Sequence, residues 1–120
     1  MQSDSPLRGT HWKLVRLGET PAEAAGKQRE PHLILASAEP RVSGSGGCNR
    51  VAGSFELDGD KLRFGRMLST RMACVAGMEQ EQRFLQSIEK VERYRIKGSD
   101  LEMLDARGAV LARFQAVAPR

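Results

Sequence analysis

Short apolar runs alternate with turn residues along most of this 120-residue chain. In the clearest run, residues 51–57, every second residue falls on the same face of a predicted strand. Asp58-Gly59 follows, and this dipeptide favours the positive φ angles of a two-residue hairpin turn. A hairpin centred on this dipeptide pairs Phe55 with Leu62 and gives the sheet a continuous apolar face.

Other strands are predicted from the same alternation and from the turn residues that bound them. They lie at 11–17, 32–37, 92–97, 101–104 and 109–117, and the glycine-rich segment 41–47 can also be extended. We interpret 18–31 as a long surface loop with a brief helical turn at 22–25.

One segment, from about residue 76 to residue 90, has helical spacing instead. Phe84, Leu85 and Ile88 form an apolar stripe opposite a charged face. We interpret this stripe as core packing. Seven or eight short strands and one helix predict an α+β fold that is mainly β. The predicted architecture is a strongly curved, barrel-like antiparallel sheet with the helix covering an opening or a face.

Length and charge limit the possible classes of protein. One domain over 7–117 is expected, with a disordered N-terminal tail over 1–6 and a short C-terminal tail over 118–120. The 19 Lys and Arg against 15 Asp and Glu give a net charge of +4, which favours anionic partners at long range. The basic residues are interspersed with acidic ones, so we expect no nucleic-acid partner. No apolar run approaches the roughly 18 residues of a membrane span.

Cys48 and Cys74 are the two cysteines of the chain. An even count in an oxidising compartment favours a disulfide, whose loop of about 27 residues gives about 3.5 kcal/mol in the chain-entropy estimate. Two inert buried thiols, or a reactive or metal-binding thiol, are the alternatives. A catalytic thiol needs a base such as His11 or His32, and neither has a flanking motif. We expect no catalytic residues, cofactor or metal.

Polar residues flank both cysteines. Asn49 and Arg50 follow the first cysteine, and Thr70 and Arg71 come shortly before the second. If the cysteines pair, these four side chains converge around the bridge. We interpret them as a network that fixes a loop, with a ligand site as the alternative.

The motifs around these residues resemble those of a known family, the META domain, the HslJ-like group of bacterial proteins. Three motifs carry the resemblance: Gly-Cys-Asn-Arg-x-x-Gly at 47–53, Leu-x-Phe-Gly at 62–65 and Ser-Thr-Arg-Met-Ala-Cys at 69–74. The opening strand at 9–14, the helix at 78–85 and the closing hairpin at 101–114 also resemble the family. The likeness covers about residues 7–117.

The resemblance implies an antiparallel β-sheet with a helix, and it adds to the case for a Cys48–Cys74 bridge. It implies a cell-envelope protein, periplasmic or anchored to the outer membrane, often a lipoprotein, in a family associated with heat shock and novobiocin resistance. No enzymatic activity is established for the family. We therefore expect a monomeric, non-enzymatic stress-response or interaction protein, whose partner is an unknown envelope protein or a small ligand.

Two alternatives remain open. One is a small-ligand or lipid-binding module that uses a pocket of the rolled sheet. The other is a thiol-dependent enzyme. The start of the chain is polar and shows no leader peptide, so we expect contact with a membrane only through a lipid anchor that this chain lacks.

Overall fold

The computed structural model describes residues 4–22, 30–70 and 78–117. In chain order the strands within these ranges are β1 (His11–Leu17), β2 (Thr20–Pro21), β3 (His32–Leu35), β4 (Arg41–Ser45), β5 (Arg50–Asp58), β6 (Lys61–Phe64), β7 (Leu68–Ser69), β8 (Arg93–Lys97), β9 (Asp100–Leu104) and β10 (Val110–Val117). The helix α1 (Met78–Glu89) lies between β7 and β8.

Eight strands close into an antiparallel barrel. Neighbours around the ring follow the order β1, β3, β4, β5, β6, β8, β9, β10, and β10 pairs back with β1. The two-residue strands β2 and β7 lie off the ring and pair with β1 and β5. The prediction of a mainly β, barrel-like antiparallel sheet with one helix is confirmed. Because the ring closes, both sides of each of its eight strands face a neighbouring strand.

The elements lie close to their predicted positions. The helix begins at Met78 and ends at Glu89, inside the predicted segment 76–90, of which residues 76 and 77 are outside the described ranges. β3 ends at Leu35, before the predicted end at Ser37, because residues 37–40 bend. Most of the predicted helical turn at 22–25 falls outside the described residues.

The predicted register of the central hairpin is wrong by two residues. Phe55 lies opposite Phe64, not Leu62, and Asp58 lies opposite Lys61. The two-residue loop is therefore Gly59-Asp60, not Asp58-Gly59. Gly59 has φ +62°, and no non-glycine residue of the described chain has a positive φ. A turn that needs positive φ only at its first central position places glycine there. A slip of two residues keeps each side chain on its own face, so the apolar face is as predicted.

The helix crosses one opening of the barrel. α1 packs against β1 and β10, which are neighbours, and also against β6, which lies on the opposite side of the ring. Phe84 of the helix meets Phe114 of β10 with ring centroids 6.0 Å apart. The apolar stripe is therefore core packing, as interpreted from its spacing. The largest fully buried side chains all lie on the strands and on α1, and apart from Ser45 they are apolar: Trp12, Leu33, Leu35, Val42, Leu62, Phe84, Ile88, Leu101, Met103 and Phe114.

The segment before β1 contacts the barrel. The backbone N–H of Ser5 donates to Gly98 O at 2.8 Å. Leu7 is buried, and its carbonyl accepts a hydrogen bond from Trp12 Nε1 at 2.9 Å. The predicted tails 1–6 and 118–120 lie mostly outside the described residues. Contacts of residues 5 and 7 thus bring the chain onto the barrel before the first strand begins.

Candidate functional site

A tight loop joins β4 to β5 and contains the first of the family-like motifs. Gly46 N–H donates to Asn49 O at 2.9 Å, and Gly47 N–H donates to Ser45 Oγ at 3.0 Å. Gly47 has φ +110°, a conformation that residues with a side chain rarely adopt. Gly46 and Gly47 therefore lie in the turn that joins the two strands.

A buried carboxylate from α1 holds this loop. Glu81 is 5% exposed and lies in the first turn of the helix. Its Oε1 accepts hydrogen bonds from the backbone N–H groups of Cys48 at 3.1 Å and Asn49 at 2.5 Å. Its Oε2 accepts one from Asn49 Nδ2 at 2.7 Å. Three donors thus compensate the desolvation of one carboxylate, which burial alone would make very unfavourable.

The close approach of the loop to the helix depends on Gly46. A Cβ atom at this position would collide with the side chain of Glu81, from its Cγ to its carboxylate. The loop backbone can reach the carboxylate because Gly46 leaves that space empty. A glycine at position 46 is therefore what allows the Glu81 side chain to lie against the loop.

Thr70 extends the network to the segment after β7. Its Oγ1 donates to Asn49 Oδ1 at 2.9 Å and accepts from Arg50 N–H at 3.1 Å. Its backbone N–H donates to Arg50 O at 3.0 Å. The Asn49 amide therefore bridges the helix and this segment, with its nitrogen on Glu81 and its oxygen on Thr70.

The structure brings together part of the predicted network. Asn49 and Thr70 meet directly, whereas Arg50 takes part through its backbone and its side chain is exposed. Arg71 and Cys74 lie outside the described residues. The Cys48–Cys74 bridge therefore stays a prediction.

Sequence reasoning missed Glu81, the residue at the centre of the network. The helical spacing predicts that the charged residues of the helix form an exposed face opposite the apolar stripe. Yet Glu81 precedes Phe84 by three residues and Ile88 by seven, so all three lie on one side of the helix. An acidic residue on an apolar stripe is the signal that could have found it.

The two histidines considered as bases lie side by side on the outer face of the barrel. The rings of His11 on β1 and His32 on β3 stack with centroids 4.3 Å apart and planes inclined by 13°. His32 Nδ1 is 3.0 Å from Glu30 O. The pKa of His11 is lowered, first by burial of its ring and then by the neighbouring His32. This lowered pKa favours the neutral imidazole at His11.

The described residues form neither a metal-ligand cluster nor a membrane-spanning helix. Among 4–22, 30–70 and 78–117, no three His, Cys, Asp or Glu side chains cluster as metal ligands do. The helix α1 is too short and too polar to cross a membrane, and the same ranges contain no other candidate.

The protein is a small β-barrel domain. One helix crosses an opening of the closed antiparallel barrel, and a buried carboxylate joins that helix to a glycine-rich loop. The sequence matches the META domain family over residues 5–118, nearly the whole chain, and the protein belongs to that family. No curated protein matches the chain.

Two solved structures are similar to this chain. The NMR structure of a protein from Burkholderia xenovorans is 26% identical with a TM-score of 0.75, and the match covers 94% of this chain and 85% of that one. A second NMR structure is 18% identical with a TM-score of 0.70, and the match covers 91% of this chain and 90% of that one. The second likeness concerns the fold alone.

Proposed function

We propose that this META domain is a non-enzymatic binding domain of the bacterial cell envelope, with a role in stress response or in interaction with another envelope component. The observation that supports it most is the state of Glu81. This carboxylate is 5% exposed and accepts three hydrogen bonds from the β4–β5 loop. A catalytic carboxylate must reach a substrate proton, whereas Glu81 faces the loop. Glu81 and Asn49 thus join the loop to the helix. We therefore expect a partner to bind at the outer surfaces of the barrel.

An activity screen tests the non-enzymatic part of the proposal. The protein is assayed against esters, phosphoesters, peptides and disulfide substrates, beside a Cys48→Ser variant. We expect no turnover above the uncatalysed rate in either protein. Turnover that is present in the wild-type protein and lost in Cys48→Ser would overturn the proposal and favour a thiol-dependent enzyme.

The predicted compartment and bridge are tested together. The natural gene is expressed from its own start in its own host, and the protein is followed by fractionation. We expect it in the envelope fraction, with a non-reduced mass that lacks two thiol hydrogens. A cytoplasmic protein with two titratable thiols would contradict both expectations.

The oligomeric state is tested by sedimentation equilibrium, for which we expect the mass of a monomer.

A small-ligand module is the second candidate, and one cavity favours it. About 590 Å³ of space lies at the barrel rim, where the β5–β6 hairpin meets the start of β8. Leu57 is 37% exposed there, beside the ion pair of Arg63 with Glu92. A ligand bound at this rim should shift the amide signals of Leu57 and Arg63. If the ligands that raise Tm shift only signals elsewhere, this candidate is wrong.

A further inference from the structure

Four charged side chains form a single row across the outer wall of the barrel. The strand registers place Arg16 of β1 opposite Arg113 of β10, Arg113 opposite Glu102 of β9, and Glu102 opposite Arg95 of β8. Residues directly opposite one another on antiparallel strands project from the same face. The residues on either side of Glu102 and of Arg113 along their strands are buried in the barrel, so the row lies on the outside. Lys97 occupies the next outward position along β8.

A β-bulge in β1 shapes one end of this row. The register of β1 against β10 shifts between Leu14 and Arg16, so Val15 is an extra residue. Val15 and Arg16 are consecutive and both exposed, with Val15 at 40%. A bulge re-aims side chains and interrupts the alternation of faces. Here it places an apolar side chain on the outer wall beside a guanidinium.

The positive charges of the row are only partly neutralised within the protein. Glu102 forms ion pairs with two guanidinium groups. Its Oε1 contacts Arg95, and its Oε2 lies 2.8 Å from Arg113 Nη2. Within the described residues no carboxylate lies within ion-pair distance of Arg16 or Lys97. Like charges on directly opposite strand positions are destabilising, and this cost applies to Arg16 and Arg113. An anion between them would relieve it.

The side chains of this row enclose a groove. Its volume is about 300 Å³, and its lining adds Lys97, Asp100 and Val15 to the charged row. Four cations thus line the groove against two carboxylates. The volume is at the lower end of the range found for small-molecule sites. It suits a compact anion with a short apolar part and is too small to enclose a folded partner.

We propose that this outer groove binds a small organic anion, whose phosphate or carboxylate group lies between Arg16, Arg113 and Lys97 and whose apolar part lies on Val15. The proposal rests on the proposed binding function and gives it a site and a ligand class. The bidentate geometry of guanidinium suits both kinds of oxyanion. A free metabolite and a lipid headgroup could both supply this chemistry.

The test uses hexyl phosphate as the probe and ¹⁵N-labelled protein. We expect saturable amide shifts at Val15, Arg16, Lys97 and Arg113 that weaken with added salt, because charge contributes to binding. Hexanol at the same concentrations should leave these signals unchanged. Shifts with hexanol equal to those with hexyl phosphate, or shifts confined to other surfaces, would overturn the proposal.

Two charge-matched variants sharpen the test. Arg16→Gln/Lys97→Gln removes two cations that have no carboxylate partner among the described residues, so the fold should be preserved. We expect this double variant to lose at least tenfold in affinity for hexyl phosphate. Arg107→Gln/Arg66→Gln removes the same charge from two exposed positions outside the groove and should change affinity less than twofold. Equal losses in both double variants would mean that net charge alone attracts the probe, and the groove would be rejected.

Vesicles separate the two sources of the anion. Binding to phosphatidylglycerol vesicles but not to phosphatidylcholine vesicles, with loss in Arg16→Gln/Lys97→Gln, supports a lipid headgroup in the groove. Binding of hexyl phosphate alone supports a free small anion, and binding of neither overturns the proposal. None of these outcomes bears on turnover, so the failure of the groove and the failure of the non-enzymatic function are distinguishable.

Discussion

The carboxylate of Glu81 accepts hydrogen bonds from both the backbone N–H and the side-chain amide of Asn49. These two residues join the first turn of α1 to the loop between β4 and β5. The helix crosses an opening of the barrel, so this contact links its N-terminal end to the strands around it. This buried polar contact therefore joins two structural elements.

Glu81→Gln should destabilise the protein. The carboxamide offers one acceptor oxygen in place of two, and its NH₂ group faces donors, so at least one buried donor loses its partner. We expect a loss of about 2 kcal/mol in the free energy of unfolding. Urea unfolding measures this loss, with an unchanged m-value if the unfolded state is unaffected.

Glu79→Gln is the matched control for this substitution. Glu79 lies in the same helical turn but is exposed, so its replacement removes the same charge from the helix N-terminus. Only the helix-dipole contribution should be lost, about 0.5 kcal/mol. If the two variants lost the same stability, the buried network would contribute nothing beyond charge at the helix end.

Thr70→Val tests the outer half of the network. Valine has nearly the shape of threonine but cannot donate to Asn49 Oδ1 or accept from Arg50 N–H. Because the first of these bonds is only partly buried and the second is exposed, we expect a loss of about 1 kcal/mol. Thr70→Ser keeps the hydroxyl group and should lose less than Thr70→Val in the same urea titration. An equal or larger loss in Thr70→Ser would assign the effect to the methyl group.

Most of the fold could be predicted because its strands obey a simple alternation. β5 buries Val51 and Phe55 and exposes Ala52 and Ser54 between them, and α1 buries Phe84 and Ile88 at helical spacing. The hairpin register could not be predicted as well, because the dipeptide at 58–59 fits more than one turn. The positive φ of Gly59, with none at its neighbours, decides between them.

The candidate site was only half predictable. Asn49 and Thr70 could be placed together, because they lie in the motifs that contain Cys48 and Cys74, and the predicted bridge brings these two motifs together. Glu81 lies on another element, and its burial depends on the tertiary approach of the helix to Gly46. The groove of the further inference depends on cross-strand register, and periodicity along one strand does not determine which residues of other strands lie beside it.

The interface between β6 and β8 should open before the rest of the barrel. A single residue pair, Lys61 with Arg93, joins these strands, whereas β1 and β10 pair at six positions. Two hydrogen bonds flank that pair, from Leu62 N–H to Glu92 O and from Tyr94 N–H to Asp60 O. In native-state hydrogen exchange, these two amides should be less protected than those between β1 and β10. Equal protection would mean that the barrel opens only as a whole.

The stacked histidines predict a weak dependence of stability on pH. The pKa of His11 is lowered by burial and by His32, with Glu30 acting in the opposite direction. The unfolded chain therefore binds the proton first as pH falls. Stability should be level above about pH 7 and decline below about pH 6.5, the unperturbed value for histidine.

An NMR titration of the ring protons measures this effect directly, and the His32→Gln variant separates its causes. In the wild-type protein the pKa of His11 should lie below its ordinary value. In His32→Gln it should rise part of the way back, because the charge of His32 is gone while the burial of the His11 ring remains. A His11→Gln variant should lose the decline in stability below about pH 6.5. A wild-type His11 that titrates at or above its ordinary pKa would show that Glu30 outweighs both burial and the neighbouring ring.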